Sequence, residues 1–301
     1  MFSVKKFLII DSNSLIHRAF HALPILTTKK GKLVNAIYGF CLVFLKILEE
    51  IKPDFIAAAF DFPAPTFRHK EYKEYKAKRP PVPAELYQQI EGVKEILRAF
   101  KVLIFEKEGY EADDIIGSLA KSIKIKQIWP KMEIIILSGD SDLLQLVNKQ
   151  TKVYFLRRSL KDVFYYQEEN VKERYQGLKP SQLIDFKALR GDPSDNIPGV
   201  TGIGEKTALQ LIKEFGNLEN LYQELENKTK KSQNLKEGLQ KKLKDYKEQA
   251  FISKFLACLH CDLPLDFNLI DLQFKNLDKE KITQVFKNFE FVTLIKRLEK
   301  I

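Results

Sequence analysis

The amino-acid sequence predicts an α/β fold, a mainly parallel central sheet with helices on both faces, followed by a helical region. Three observations predict it. The runs FLIID (7–11), FIAAAFD (55–61), VLIF (102–105) and EIIILSGD (133–140) are apolar and bounded by turn or charged residues, as in strands buried on both faces. Stretches of helical period near 35–51, 84–100 and 111–126 separate them, and strands alternating with helices build a parallel sheet. From about residue 176 the pattern is helical only, so a boundary falls near 175.

Taken in order, the first strand ends at Asp11 and the second at Asp61. A basic stretch follows, HKEYKEYKAKRPPVP (69–83), with Tyr72 and Tyr75 interleaved and prolines at its end. It is either a solvated helix face or a surface for phosphates and bases, and the tyrosines beside Arg79 favour the second. The third strand has no terminal acid, but GYEADDIIGSLA (109–120) follows it closely. There Ala112, Ile115, Ile116, Leu119, Ala120 and Ile123 form an apolar stripe, while Glu111, Asp113 and Asp114 crowd the helix start. One acid suits the positive end of a helix; three repel one another unless a cation sits among them. Asp113 lies at the edge of the stripe, which suits direct contact with a cation. Asp114 points away from the stripe and is expected to act through a bound water.

The fourth strand ends at Asp140, with Asp142 two residues on, and KVYFL with DVFYY predicts a hairpin around 152–166. In the helical part GDPSDN adds Asp192 and Asp195, and GVTGIGEKT (199–207) forms a glycine hairpin opening a helix near Glu205. It is not a P-loop, because Glu205 interrupts the required GK[ST] and no parallel strand precedes it. Its amides suit a phosphate, and its carbonyls a monovalent cation such as K⁺. The lysine-rich stretch 228–247 is either a solvated face or a second phosphate surface. Cys258 and Cys261 in CLHC have a metal-like spacing but no second cluster, so Cys258 is read as helix packing.

Composition bounds the partners. The 301 residues carry 50 Lys or Arg against 40 Asp or Glu, and the net charge of +10 favours polyanions. Three cysteines make no disulfide framework, which suits a reducing cytoplasm. The first apolar run is too short for a signal core and no run is long enough to span a membrane, so a soluble protein is expected. Nothing marks an oligomer seam, so a monomer is expected.

In an open parallel sheet the carboxyl ends of the strands form the ligand crevice. Asp11, Asp61, Asp140 and Asp142 belong to that edge, the EADD acids project toward it, and Asp192 and Asp195 complete nine acids. Carboxylate clusters of this kind select Mg²⁺ or Mn²⁺. Two such ions, flanked by basic and aromatic segments, make a phosphodiester-cleaving site.

The stretches LIIDSNSLIHRAFHALP, FDFPAPTFRHKEYKEYKAKRPPVP, EGYEADDIIGSLA, ILSGDSDLLQLV and DFKALRGDPSDNIPGVTGIGEKTALQLI together resemble the flap endonuclease family, in particular the 5′-nuclease domain of bacterial DNA polymerase I. The tail FEFVTLIKRLEKI resembles the close of that domain. The resemblance implies a PIN-like α/β nuclease core over 1–175 with a helical arch at 66–83, and a helical DNA-binding region over 176–301 with a helix–three-turn–helix element at 190–214. It implies a Mg²⁺- or Mn²⁺-dependent nuclease acting on 5′ ends and flaps of branched duplex DNA. Asp11, Asp61, Glu111 and Asp113 resemble ligands of a first metal, and Asp114, Asp140, Asp142, Asp192 and Asp195 those around a second. Arg18, Lys76 and Arg79 match positions near the scissile phosphate, and Arg68, Tyr75, Gly202, Gly204, Lys206 and Thr207 positions against DNA, with K⁺ helping the hairpin. DFPAP departs from the family's glycine-bearing turn. No polymerase motif appears, so the nuclease is free-standing or part of a longer polymerase. The competing readings are a PIN-type ribonuclease, against which the hairpin and the arch speak, and a non-catalytic module for branched DNA, which has no use for nine converging acids.

Overall fold

A computed structural model describes residues 4–122, 131–157, 159–160 and 162–301. Its sheet has six strands in the order β3-β2-β1-β4-β5-β6. These are β1 Lys6–Asp11, β2 Phe55–Ala59, β3 Leu103–Phe105, β4 Glu133–Ser138, β5 Thr151–Leu156 and β6 Val163–Tyr166. All neighbours run parallel except β5 and β6, which pair antiparallel as the expected hairpin. Arg158 and Lys161 in its connection lie outside the described residues.

The strands are continuously apolar because each feeds two cores. Leu8, Ile10, Ile56, Ala58, Ile135 and Leu137 face one core with α1 Ser12–Ala22, α2 Asn35–Ile51 and α4 Ala84–Ala99. Phe7, Ile9, Phe55, Ala57, Ile134 and Ile136 face the other with α5 Ala112–Lys121. The side-chain period of two along each strand divides them. The predicted helix 111–126 is α5 as far as Lys121; its last residues, from 123, lie outside the described residues.

The helical region has its own core, from Leu178 to Ala250. It contains α6 Glu168–Arg174 at its entrance, then α7 Leu183–Arg190, α8 Glu205–Phe215, α9 Leu218–Glu226, α10 Lys230–Gln233, α11 Glu237–Asp245 and α12 Lys247–Ala257. The expected helical region 176–301 does not stay together, however. Ile282 and Phe286 of α13 Lys279–Asn288, with Leu294 of α14 Val292–Ile295, pack into the core of α2 and α4. Gln273 bridges Phe55, and the Phe274 N–H donates to the Asp54 carbonyl at 2.8 Å. The tail has an apolar face and the sheet-covering helices an open one, so burial returns it to the first half.

A long helical arch over 66–83 is not formed. Only α3 Phe67–Glu71 is helical there, followed by turns and an extended proline segment. Pro80, Pro81 and Pro83 cannot continue a helix, and Lys76 sits in the left-handed region at φ 55°. Among the described residues no helix is long and apolar enough to cross a membrane.

Candidate active site

Because β1 lies at the middle of the sheet with β2 and β4 beside it, Asp11, Asp61 and Asp140 emerge at one edge. Asp11 caps α1, accepting the Ser14 N–H at 3.1 Å and the Ser138 hydroxyl. Asp61 accepts the Ala112 N–H at 2.8 Å, which ties the β2 end to the start of α5. Asp140 accepts the Asp142 N–H at 2.8 Å and caps the 3₁₀ turn Ser141–Leu146. Asp11, Asp61, Glu111, Asp113 and Asp140 line one cleft of about 630 Å³, together with Arg18, Lys76 and Arg79.

Cations of the chain itself reach into this edge. Lys76 Nζ contacts Glu111 at 2.6 Å, and Arg79 Nη2 contacts Asp195 at 2.5 Å. Tyr75 is buried, and its hydroxyl donates to Glu111 at 3.1 Å and Asp195 at 3.2 Å. The Lys76 N–H donates to the Asp195 carbonyl at 2.9 Å, so the basic segment lies across the acids. In a second cleft, of about 360 Å³, Lys187 bridges Asp142 and Asp192, the latter at 2.7 Å. Ser141 and Ser194 line both clefts, which therefore adjoin.

The acids are held under electrostatic load. Burial, then the charge of Asp140, pushes Asp11 up to about 7 against the help of Ser138. Asp113 is raised well above the ordinary range by burial, Asp140 and Asp11. Burial opposes ionisation of Asp192 too, but Lys187 and Ser194 bring it down to about 2. Among the described residues, no three His, Cys, Asp or Glu side chains stand close enough together to hold a metal ion as they are. Asp11, Asp61, Glu111, Asp113 and Asp140 instead face a shared cleft.

Three expectations change: those for Asp114 and Arg68, and that for Tyr75, which is buried with its hydroxyl on Glu111 and Asp195 rather than placed against DNA. Asp114 does not point away from the buried stripe: it is fully buried and paired with Arg68, Nη1 to Oδ2 at 2.7 Å and Nη2 to Oδ1 at 2.8 Å. Its oxygens also accept the N–H groups of Glu111 and His260, leaving no route to a bound water in the cleft. Arg68 is itself 1% exposed and does not reach DNA from there. The helix angle misled because a second apolar surface, the chain at 256–260, covers that side of α5. By contrast Asp113, at the edge of the stripe, does line the cleft.

Gly202, Gly204, Lys206 and Thr207 stand apart from the acids, in the exposed hairpin that opens α8. Gly202 lies at φ 77°, and Lys242 from the lysine-rich stretch comes within 2.7 Å of where its Cβ would stand. Cys258 ends α12, while Cys261 packs where only a glycine, Gly117, leaves room for its sulfur. Sequence reasoning missed Ser14, His17 and His21, which line the cleft beside Arg18; their spacing on one face of α1 was the signal available. It also missed Lys187, a lysine between Phe186 and Ala188 in a buried helix face. Gly139 was missed as well: a Cβ there would stand 2.9 Å from Arg18 Nε.

Comparison with known proteins agrees with this architecture. Residues 6–176 match the 5′-3′ exonuclease N-terminal resolvase-like domain, and 178–280 the 5′-3′ exonuclease C-terminal SAM fold. DNA polymerase I of Bacillus subtilis is 43% identical over 98% of the chain and 32% of that protein. DNA polymerase I of Caldicellulosiruptor bescii is 46% identical over 97% of the chain and 33% of its own length. The chain thus spans about a third of these relatives. Among solved structures, the zinc-bound 5′-exonuclease of T5 superposes with a TM-score of 0.67 at 21% identity, covering 96% of this chain and 99% of its own. The catalytic core of Rad2 with a DNA substrate gives 0.61 at 20% identity, covering 99% and 91%. At these identities the likeness is one of fold.

Proposed function

The chain belongs to the 5′-3′ exonuclease family, and from that premise we propose that it is a structure-specific 5′ nuclease of DNA. It hydrolyses phosphodiester bonds at 5′ ends and 5′ flaps of branched duplexes and leaves 5′-phosphates. The observation that carries this reading is the cleft in which five carboxylates face Arg18, Lys76 and Arg79.

A donor set dominated by carboxylates, with no thiolate, suits Mg²⁺ or Mn²⁺. The raised Asp11 and Asp113 fit a divalent cation, since both ionise readily only with positive charge nearby. We assign Asp11, Asp61, Glu111 and Asp113 to one ion, and Asp140, Asp142, Asp192 and Asp195 to a second. When bound, the ions supply an activated water and neutralise the leaving oxygen. The chain's own residues do the rest. Arg18, whose Nη1 donates to the Arg157 carbonyl, lines the cleft and is the residue we place toward a phosphate oxygen. Lys76 and Arg79, which pair with Glu111 and Asp195 at the cleft, would face the scissile phosphate. Tyr75 holds the basic segment down on the acids. The hairpin amides at Gly202 and Gly204, with Lys206 and Thr207, are placed to grip duplex phosphates, and the hairpin would hold K⁺ if that ion takes part. The DNA-bound relatives by fold support DNA as the substrate. Relatives that are DNA polymerases I support work beside a polymerase, fused or separate, and we propose that it acts as a cytoplasmic monomer.

A labelled 5′-flap duplex tests the reading: cleavage is expected only with Mg²⁺ or Mn²⁺. Asp113→Ala or Asp140→Ala lowers it about 100-fold or more while binding in Ca²⁺ persists. Unchanged cleavage in either variant refutes the site, and equal cleavage of an RNA flap moves the reading to a ribonuclease.

A further inference from the structure

Arg68 is among the most buried side chains of the molecule, and it joins three segments. From α3 its fork clamps Asp114, while Nη1 also reaches Glu111 Oε2 at 3.3 Å. Asp114 in turn accepts the Glu111 N–H at 3.1 Å. The pair thus holds Glu111 at both its backbone and its carboxylate. On its other side Arg68 donates from Nε to the Leu256 carbonyl at 3.0 Å and from Nη2 to the Cys258 carbonyl at 2.7 Å. Those carbonyls belong to the last turn of α12 and the residue that ends it.

The opposite part of α12 holds the glycine hairpin. Gln249 Nε2 donates to the Gly199 carbonyl at 2.6 Å, and the Gly199 N–H donates to Ser253 Oγ at 3.0 Å. Ser253 is fully buried. From Gln249 to Cys258 the helix spans roughly 14 Å, a stiff element with the hairpin on one part and Arg68 on the other.

We infer that Arg68 is a positioning residue, tying the Glu111 carboxylate through α12 to the hairpin, so that duplex held at the hairpin and divalent ions held at Glu111 strengthen each other. The inference rests on the function proposed above. A buried ion pair adds little net stability over apolar side chains of the same size, so a clamp alone does not require this fork. Coupling of two ligands is reciprocal, which makes it measurable from either side.

The test uses Arg68→Lys, which keeps the charge but not the fork, with the shape-preserving Asp114→Asn as second variant. Calorimetric titration of the DNA-free chain with Mn²⁺ is expected to show affinity about 10–100-fold weaker in Arg68→Lys. Duplex affinity in EDTA stays unchanged, while the strengthening of duplex binding by Ca²⁺ is lost. If the lysine variant does not fold, Asp114→Asn is read in the same way. Unchanged Mn²⁺ affinity overturns the inference, as does a loss of duplex affinity in EDTA, which makes Arg68 a DNA contact. Failure of both variants to fold also overturns it, leaving a clamp only. A wild type without flap cleavage refutes the proposed function instead, and the Mn²⁺ titration still reads Arg68.

Discussion

Gly199→Ala is the sharpest probe of the hairpin. Gly199 lies at φ 64°, and an added Cβ would stand 2.2 Å from the Gly191 nitrogen, 2.6 Å from the Arg190 carbonyl carbon and 2.7 Å from Gly191 Cα. Ordinary contact starts at 3.4 Å, and all three atoms are backbone, so one side of the turn must move by about 1.2 Å. The left-handed backbone costs an alanine roughly 1–2 kcal/mol, and overpacking of this kind a further 1–3 kcal/mol. The expected loss is therefore about 2–5 kcal/mol, or a Tm lower by roughly 3–8 °C for a chain of this length. Displacing Gly199 also breaks its bonds to Gln249 and Ser253, so duplex affinity in Ca²⁺ falls as well. Scanning calorimetry measures the first effect and fluorescence anisotropy the second. Gly238→Ala is the control: it lies in α11 with no atom near its Cβ, and alanine there leaves Tm unchanged or slightly raised. An unchanged Tm in Gly199→Ala refutes the packing argument.

Two more predictions concern the cleft. In the metal-free chain the folded state keeps a proton on Asp11 up to about 7, whereas the unfolded chain releases it near 4, so the folded state binds more protons between those values. Stability from Asp11 therefore falls as pH rises through that window, by up to about 4 kcal/mol, and Asp11→Asn removes this part of the decline in melts run in EDTA; a wild type with the same pH profile as the variant contradicts the burial of charge. Replacing Lys76 and Arg79 together by alanine lowers flap-cleavage turnover more than duplex affinity, and steady-state kinetics showing a loss confined to affinity counts against their place at the scissile phosphate.

The sheet and most of the acidic edge were legible because both depend on local pattern. A run such as EIIILS is a strand buried on both faces wherever it sits, and a strand that ends in aspartate delivers that aspartate to the edge. The glycine hairpin was legible for the same reason, since positive φ at Gly199 and Gly202 leaves a mark on residue choice. The tail was not legible: the apolar stripe of 279–288 says that it is buried, but not against which half.

At the site itself, the residue types already pointed to the chemistry that we propose: nine acids in five segments, with a basic segment to face them, favour cations and a polyanion. Only the tertiary structure decided which acids share a cleft. Asp113 and Asp114 are neighbours of the same charge, yet one lines the cleft and the other is spent on Arg68, because residues 256–260, far along the chain, cover one side of α5 and not the other. Helix angle gives a side chain its direction; what waits in that direction is set by packing between segments distant in sequence.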